Sequence, residues 1–368
     1  MARRARRQRK VGVLTGGGDC PGLNAVIRAV VKPLLLEHGF RAFGFLDGFL
    51  GLIEKSAREL HAPDVSGILA VGGTILGTSN AADPFRYPVR IPGGGFEHRD
   101  VSRRAVANCR SLGIDALVAI GGEGTMNIAY GLQKLGLPVV GVPKTIDNDL
   151  QETDYTFGFD SAVTVIAESL DRLHTTAQSH HRVMVLETMG RYAGWLCLSG
   201  GVAGGGDVLL IPEIPYDIDK VCEVCVKRSK RGKRFTLVVI AEGAKPKGGD
   251  LVVQEHDSQR TDPVRLGGVA NVIAKEITRR TSLETRVTIL GHLQRGGSPT
   301  PFDRVLATRL GVEAAHLVAE ERYGRMACLK GNEITSVPIQ KAVRGIKTVP
   351  LDHNLIRSAR SVGTSFGD

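Results

Sequence analysis

The chain has 368 residues, of which 42% are hydrophobic, 23% charged and 5% aromatic. This length allows two domains with a sizeable core, and no apolar run approaches the roughly 18 residues of a membrane span, which excludes an integral membrane protein. The net charge is +10, but the first ten residues supply six of the positive charges, so the rest carries only +4. The sequence therefore predicts a basic disordered tail over residues 1–10 and argues against a nucleic-acid partner for the body, although an anionic partner of the tail stays open.

The six cysteines are scattered along the chain, apart from the pair Cys222 and Cys225. A structural zinc site needs a second pair of ligands, and the sequence has none near these two residues. The pattern is also not that of a disulfide-rich secreted protein. We therefore expect a cytoplasmic protein with reduced cysteines.

The 46 glycines cluster where short apolar runs end, which is how strands lead into helices in α/β proteins. Apolar periodicity predicts strands at residues 11–14, 116–120, 138–142, 183–186, 208–212, 235–241 and 286–290. It predicts helices at residues 24–37, 161–178, 217–230, 268–281 and 302–320. A further predicted helix follows the strand at 116–120 and ends at residue 135. Residues 78–97, rich in Pro and Gly, are predicted to form a long loop. Nearly unbroken apolar strands between helices indicate parallel sheets covered by helices on both faces.

Two glycine-rich loops follow predicted strands and precede helices. The first contains Gly16, Gly17 and Gly18, and the second contains Gly121, Gly122 and Gly124. At the carboxyl ends of parallel strands such loops can hold phosphates through backbone N–H groups, although a purely structural glycine turn remains an alternative for each. The chain has neither GxxxxGK[ST] nor a clean GxGxxG, so a Walker-type ATPase and an ordinary dinucleotide site are not supported.

An acidic cluster follows the third predicted strand. Thr145, Asp147 and Asp149 alternate there. In extended geometry the two carboxylates point the same way, an arrangement typical of a general base beside a hydroxyl substrate. An Asn/Asp turn that merely closes the strand is an equally good interpretation of the spacing.

A basic cluster in the segment TRVTILGHLQRGG predicts a phosphate clamp. Arg286 and His292 share one face of the predicted strand, and Arg295 lies beyond the turn. Guanidinium groups match phosphate oxygens, whereas the competing interpretation is a solvated charged edge. Arg182 and Arg191 flank another strand and are further candidate anion ligands.

Eight motifs, in order from residue 11 to about residue 320, carry a resemblance to a known family. They are GGGDCPGLNAVIRAV, GGTILGTS, IGGEGT, GVPKTIDNDL, FGFDSAV, ETMGRYAGW, IAEGAKP and LGHLQRGGSPTPFDRVLATRLG. Together they resemble the 6-phosphofructokinases, in detail the bacterial subgroup that uses either ATP or pyrophosphate. The resemblance implies two Rossmann-like parallel-sheet domains with the active site in the cleft between them.

The same resemblance implies domain boundaries, substrates and an assembly. Residues 11–158 plus 294–344 would bind the donor with Mg²⁺, and residues 159–293 plus 345–368 would bind fructose 6-phosphate. ATP would be the co-substrate, and the subunits would form a homodimer or homotetramer with shared sites.

Residue roles follow from the resemblance position by position. The expected catalytic residues are Asp147 as general base, Thr145 and Arg191. Besides these three, the expected sugar-phosphate ligands are Asp149, Arg182, Met189, Gly190, Glu242, Arg286, His292 and Arg295, with Arg182 and Arg286 coming from a neighbouring subunit. The expected donor ligands are Gly18, Gly122, Glu123, Gly124 and Thr125, with Glu123 also at Mg²⁺.

The donor itself is less directly indicated. In the resembled family, Gly at residue 124 leaves room for a nucleotide, whereas Lys at residue 144 is typical of pyrophosphate enzymes. A side chain at residue 124 would exclude a nucleotide, whereas a lysine at residue 144 can accept either donor, so residue 124 discriminates more strongly between the donors. The absence of a side chain at Gly124 therefore favours ATP, with pyrophosphate as the alternative. Asn80 stands where the family commonly has an Arg, and Arg86 and Lys144 are candidate replacements.

Effector binding and other functions remain open at the level of sequence. Arg28, Lys32, Arg231 and Lys233 match a basic effector site, but His174 stands where an Arg is common. An NAD or lipid kinase is a further alternative that the MGR and HxxR segments argue against. A non-catalytic regulatory homologue is disfavoured by the presence of Asp147.

Overall fold

The structure is a computed structural model that describes residues 7–256 and 264–368. Its strands are β1 (Lys10–Thr15), β2 (Arg41–Phe45), β3 (Ala57–Leu60), β4 (Tyr87–Arg90), β5 (Phe96–Arg99), β6 (Ala116–Gly121), β7 (Val139–Pro143), β8 (Val183–Thr188), β9 (Val208–Leu210), β10 (Thr236–Ala241), β11 (Val253–His256), β12 (Val264–Leu266), β13 (Thr285–Ile289), β14 (Arg325–Lys330) and β15 (Glu333–Pro338). Its α-helices are α1 (Leu23–Leu36), α2 (Phe49–Glu54), α3 (Ser102–Ser111), α4 (Glu123–Lys134), α5 (Phe159–His180), α6 (Trp195–Ala203), α7 (Ile218–Lys230), α8 (Val269–Thr281), α9 (Pro301–Ala319), α10 (Ile339–Ala342) and α11 (Asn354–Ser361).

A seven-stranded sheet has the order β15-β14-β7-β6-β1-β2-β3. Its inner strands pair in parallel, as predicted, and their apolar side chains are buried. The edge strands β3 and β15 pair antiparallel, which the all-parallel prediction missed. For β15 the reason is local: only Gly331, with φ of 58°, and Asn332 separate it from β14, and a two-residue connection of this kind joins antiparallel strands.

A second sheet has the order β13-β8-β10-β9 and is parallel throughout. Near the end of the chain, Ser365 forms a parallel bridge with Val208 at its edge. The two sheets thus draw on interleaved segments of the chain. The exact boundaries of the predicted two-domain division stay a prediction.

Helices α1 and α9 pack closely against each other on the larger sheet. A Cβ on Gly311 in α9 would lie 2.7 Å from the Cβ of Ala29 in α1, so only glycine allows this approach. α1 begins directly after the first glycine loop, and the packing holds that loop in place. None of the helices in the described ranges is long and apolar enough to cross a bilayer.

Two predictions about irregular segments are wrong in part. The loop predicted over residues 78–97 overlaps the hairpin of β4, which is half-buried, and β5, which is exposed. Neither strand alternates strongly enough in polarity to be recognised from the sequence. The predicted disordered tail is too long, because Lys10 begins β1 and Arg7 donates to the carbonyl of Gly113 at 2.8 Å. Arg9 pairs with Glu321. The part of the tail prediction that falls on residues 1–6 lies outside the described residues.

The six cysteines are free and buried. Burial raises the pKa of Cys20 and of Cys197 to about 12, which keeps both thiols protonated at neutral pH. Cys222 and Cys225 pack among the apolar residues of α7 and its neighbours, so they act as small core side chains, as expected.

Candidate active site

A cleft of about 740 Å³ opens where strands of both sheets end. Its lining contains most of the residues selected from the sequence: Gly18, Gly122, Glu123, Gly124, Thr125, Lys144, Thr145, Asp147, Asp149, Met189, Arg191, Glu242, His292 and Arg295. Parallel strands present their following loops at a common edge, which explains why residues more than 270 positions apart meet here. Arg182, Gly190 and Arg286 are absent from this lining.

The glycine loops bring backbone N–H groups to one end of the cleft. Close packing requires glycine there, because a Cβ on Gly16 would lie 2.6 Å, and one on Gly121 2.2 Å, from Thr125 Oγ1. α4 begins at Glu123, and no side chain caps its N-terminus at Gly122. Its free N–H groups and helix dipole favour an anion at the cleft.

Lys144 is only 3% exposed and donates from Nζ to the carbonyl of Gly18. Burial lowers its pKa. Since the ammonium group lies between the first glycine loop and Asp147, it can contact an anion bound to that loop. Asn80 also lines the cleft, whereas Arg86 does not, which leaves Lys144 as the better placed of the two candidate replacements for an Arg at residue 80.

The acidic cluster adopts a turn and not the extended geometry that we expected. Asn148 has φ of 50°, in the left-handed region, and its Oδ1 accepts from the N–H of Thr156 at 3.1 Å. Asn tolerates this conformation better than most residues. The turn still leaves both Asp147 and Asp149 facing the cleft, and the N–H of Asp147 donates to Thr145 Oγ1 at 3.0 Å.

Asp147 repels two other carboxyl groups in this part of the cleft, those of Asp149 and Glu242. Burial, and next the charge of Asp147, raises the pKa of Asp149 to about 7. The same two causes raise the pKa of Glu242 to about 7. Asp147 is 6% exposed, and its Oδ1 is buried without a hydrogen-bond partner in the part of the chain that the structure describes. This atom is therefore open to a ligand's proton or to a cation.

The loop after β8 presents Met189 and Arg191 to the cleft. Gly190 has φ of 134°, and a Cβ there would lie 2.7 Å from the carbonyl of Ala193, so this sharp turn requires glycine. The N–H of Arg191 donates to Glu242 Oε1 at 3.1 Å. Gly190 thus determines the conformation of the loop, although its own atoms do not line the cleft.

The predicted phosphate clamp is only partly assembled within one chain. β13 ends at Ile289 and is followed by a 3₁₀ helix over Gly291–Arg295. The prediction that His292 lies on the strand is therefore wrong. Gly291, with φ of 48°, turns the chain there and brings His292 and Arg295 to the cleft. Arg286, near the start of the strand, points elsewhere.

Arg286 and Arg182 lie together outside the cleft, where both pair with Glu284. The distance from Arg182 Nη2 to Glu284 Oε1 is 2.9 Å. Hydrogen bonding from Arg182 lowers the pKa of Glu284. The two arginines thus form a joint positive site at the surface of this chain.

Sequence reasoning missed three residues that organise the site. Gln294 Oε1 accepts from the N–H of Met189 at 2.8 Å, and its place inside HLQR was an available signal. The buried Glu187 lines the cleft and accepts from Gly268 and Ala270, each at 2.9 Å, at the start of α8. Lys347 lies far along the chain from every motif, and no sequence pattern marks it.

The carboxylates suit a magnesium ion. Mg²⁺ binds proteins through one or two carboxylates together with substrate phosphates. Glu123 lies at the start of α4, where phosphates are expected, and its carboxylate lines the same cleft as Asp147. This donor set fits the predicted metal.

Comparisons with known proteins agree with this architecture. The sequence profile of a family described as Phosphofructokinase matches residues 10–318. ATP-dependent 6-phosphofructokinase 2 of Clostridium perfringens is 48% identical over 98% of this chain and 99% of its own length. Pyrophosphate–fructose 6-phosphate 1-phosphotransferase of Streptomyces coelicolor is 50% identical over 92% of this chain and 96% of its own. Phosphofructokinase from Saccharomyces cerevisiae has a TM-score of 0.78 and 33% identity, covering 92% of this chain and 45% of that longer one.

Proposed function

This chain belongs to the phosphofructokinase family, and we propose that it transfers the γ-phosphoryl group of ATP to the 1-hydroxyl of fructose 6-phosphate. The products are fructose 1,6-bisphosphate and ADP. The observation that carries the proposal is the single cleft in which Asp147 faces both the glycine loops and the residues of the sugar-phosphate clamp.

Asp147 acts as the general base. It accepts the proton of the 1-hydroxyl while the hydroxyl oxygen attacks the γ-phosphorus, and the bond from that phosphorus to the β-bridging oxygen breaks as ADP leaves. Phosphoryl transfer needs mainly alignment and neutralisation of charge, so a carboxylate held in a fixed turn is sufficient as the base. Thr145 holds the N–H of Asp147 and fixes that turn.

The sugar phosphate binds on the side of the cleft that Met189, Arg191 and His292 line. Met189, Gly190 and Arg191 form the loop that holds the sugar, and Glu242 anchors this loop through the N–H of Arg191. Two side chains of this chain, His292 and Arg295, bind the 6-phosphate. We propose that Arg182 and Arg286 complete the clamp of a neighbouring subunit in a homodimer or homotetramer, which their position outside the chain's own cleft supports.

The donor phosphates bind at Gly18 and at the start of α4, over residues 122–125. Bound Mg²⁺ would neutralise charge on the donor phosphates, and Glu123 would hold it. Gly124 lies on the cleft in the first turn of α4 and leaves room beyond the β-phosphate, which favours ATP. Pyrophosphate is the second candidate donor, because Lys144 reaches the same loop and a pyrophosphate-named relative is as similar as the ATP-named ones.

A coupled assay for fructose 1,6-bisphosphate, run in parallel with ATP and with pyrophosphate, tests the proposal. We expect the larger kcat/KM with ATP, and a loss of about 10² to 10⁴ in kcat on Asp147→Asn, the range for losing a general base. Binding of fructose 6-phosphate should change far less, since the substitution keeps the shape of the side chain. Absence of turnover with both donors would overturn the proposal.

We propose a cytoplasmic location for the enzyme. The six free cysteines support a reducing compartment. Fractionation of cells followed by the same assay tests this, with activity expected in the soluble fraction.

A further inference from the structure

A segment near the end of the chain, residues 346–349, crosses behind the catalytic turn. Its central residue is Lys347, whose Nζ donates to the carbonyls of Thr153 at 2.8 Å and Asp154 at 3.1 Å, and to Asn148 Oδ1 at 3.2 Å. The N–H of Lys347 also donates to the carbonyl of Asp149 at 2.7 Å. Lys347 thus makes two hydrogen bonds to the turn that carries the two aspartates and two to the segment that follows it.

The contact with Asn148 has the most direct consequence for the site. Asn148 separates Asp147 from Asp149 in the chain and holds a left-handed φ of 50°. Its Oδ1 accepts from both Lys347 and the N–H of Thr156, so the direction of the two neighbouring carboxylates depends on these bonds. Three oxygens accept from the buried ammonium group of Lys347, and these hydrogen bonds offset part of the cost of burying its charge.

The other side of the segment reaches the sugar loop. Trp195 Nε1 donates to the carbonyl of Lys347 at 2.8 Å. The N–H of Val349 donates to Glu213 Oε1 at 2.8 Å, and the same carboxylate accepts from the N–H of Gly194 at 2.9 Å. Gly194 lies three residues after Arg191, so residues 346–349 link the catalytic turn to the loop that holds the sugar.

We propose that Lys347 is a positioning residue for phosphoryl transfer, which fixes the Asn148 turn so that Asp147 meets the sugar's hydroxyl. This inference rests on the proposed function, since it concerns the same reaction. Lys347 acts through Asn148 and Asp149 and does not itself line the cleft. Its loss should therefore change turnover more than substrate binding.

The charges around Lys347 give a pH signature. Burial lowers the pKa of Lys347 to about 8, against the opposing effect of Asp149 and Asp154, while Lys330 lowers it further. The ammonium is thus present at pH 7 and is lost as the pH rises through about 8. An arginine keeps its charge over this whole range.

The test compares Lys347→Met and Lys347→Arg with wild type, with Lys341→Met as the matched control in the same part of the chain, where the lysine is exposed. We expect Lys347→Met to lower kcat by about tenfold or more, because small misplacements of reacting groups cost that much, while KM for fructose 6-phosphate changes less than threefold. Lys347→Arg should restore most of kcat and should remove the fall in wild-type kcat above about pH 8. Lys341→Met should match wild type.

A readout independent of activity completes the test. Amide hydrogen exchange at Thr156, whose N–H is held by Asn148, should be faster in Lys347→Met than in wild type. If the Met variant does not fold, Lys347→Gln, which keeps donors without the charge, takes its place. Wild-type kcat in the Met or Gln variant, or the same alkaline fall of kcat in the Arg variant as in wild type, overturns the role of Lys347. If the wild-type protein is inactive with both donors, the proposed function is overturned instead. In that case, amide exchange at Thr156 that is the same in Lys347→Met and in wild type would separately reject the role of Lys347.

Discussion

Arg295 Nη1 donates to the main-chain carbonyl of Asp19 at 2.9 Å, so the phosphate clamp and the first glycine loop are in direct contact. The contact is close because residue 18 has no side chain: a Cβ on Gly18 would lie 2.6 Å from the same Nη1. One guanidinium group thus touches the donor loop and lines the cleft on the acceptor side. The positions of donor and acceptor are therefore coupled through Arg295.

This contact makes Gly18→Ala a test of the coupling. The added methyl group should displace the guanidinium, which is the flexible end of its side chain, so stability should hardly change. KM for fructose 6-phosphate should rise by about tenfold, the order expected for weakening one charge-assisted hydrogen bond. Gly296→Ala is the control, because a Cβ there meets nothing within 4 Å. An equal rise of KM in both variants would contradict the coupling.

Asp149→Asn should stabilise the fold at alkaline pH while impairing turnover. The pKa of Asp149 is raised from 3.8 to about 7, so the folded protein keeps this proton over a range in which the unfolded chain has lost it. The contribution of Asp149 to stability therefore falls between about pH 4 and pH 7, and an amide does not suffer this fall. At pH 8 the free energy of unfolding should rise by roughly 4 kcal/mol in the variant, with no gain at pH 4.

Urea unfolding of wild type and Asp149→Asn at both pH values measures this difference. Glu242→Gln should behave in the same way, since the pKa of Glu242 is also about 7 for the same reasons. A stability gain that is equal at pH 4 and pH 8 would show that ionisation of these carboxyls is not its cause.

Gly124→Asp should abolish the use of ATP. A carboxylate in the first turn of α4 would meet the α-phosphate, and repulsion in a cleft shielded from water adds to the steric exclusion. Pyrophosphate ends before that point, so its kcat/KM should survive or increase. Gly124→Ala separates size from charge and should lose less ATP activity. A Gly124→Asp variant that still prefers ATP would refute residue 124 as the determinant of the donor.

Subunit mixing tests whether Arg182 serves a neighbouring site. Arg182→Ala and Asp147→Asn chains should each be nearly inactive alone. If sites are shared, a mixed dimer regains one native site, so random mixing should restore about a quarter of wild-type activity. Co-expression of the two chains under different affinity tags provides the sample. Failure to recover activity in verified mixed oligomers would place Arg182 in its own chain's site or outside any site.

The sequence predicted best what depends on short segments. Inner strands, the helices that follow them and the glycine loops are each encoded by fewer than about 20 neighbouring residues, and parallel pairing then brings their ends together. The assignment of Gly18, Asp147 and Arg295 to one site came from the family resemblance, and all three residues line the same cleft. The prediction of the phosphate clamp was less accurate. It placed His292 on the strand, because the residue spacing did not reveal the turn at Gly291.

What the sequence did not predict depends on tertiary contacts. The left-handed Asn148 is held by Thr156 and Lys347, and only the second of these lies far away in the chain. Gln294 and Glu187 likewise act on backbone groups of distant loops. Hydrophobic periodicity carries no information on such polar contacts, so they appear only once the chain is folded.

The burial of all six cysteines has a practical consequence. Because these thiols are shielded and protonated, alkylating reagents should react with the native protein only through transient opening. A single cysteine introduced on the exposed hairpin of β4 and β5 would then take a fluorescent label at one place without any of the native cysteines having to be removed.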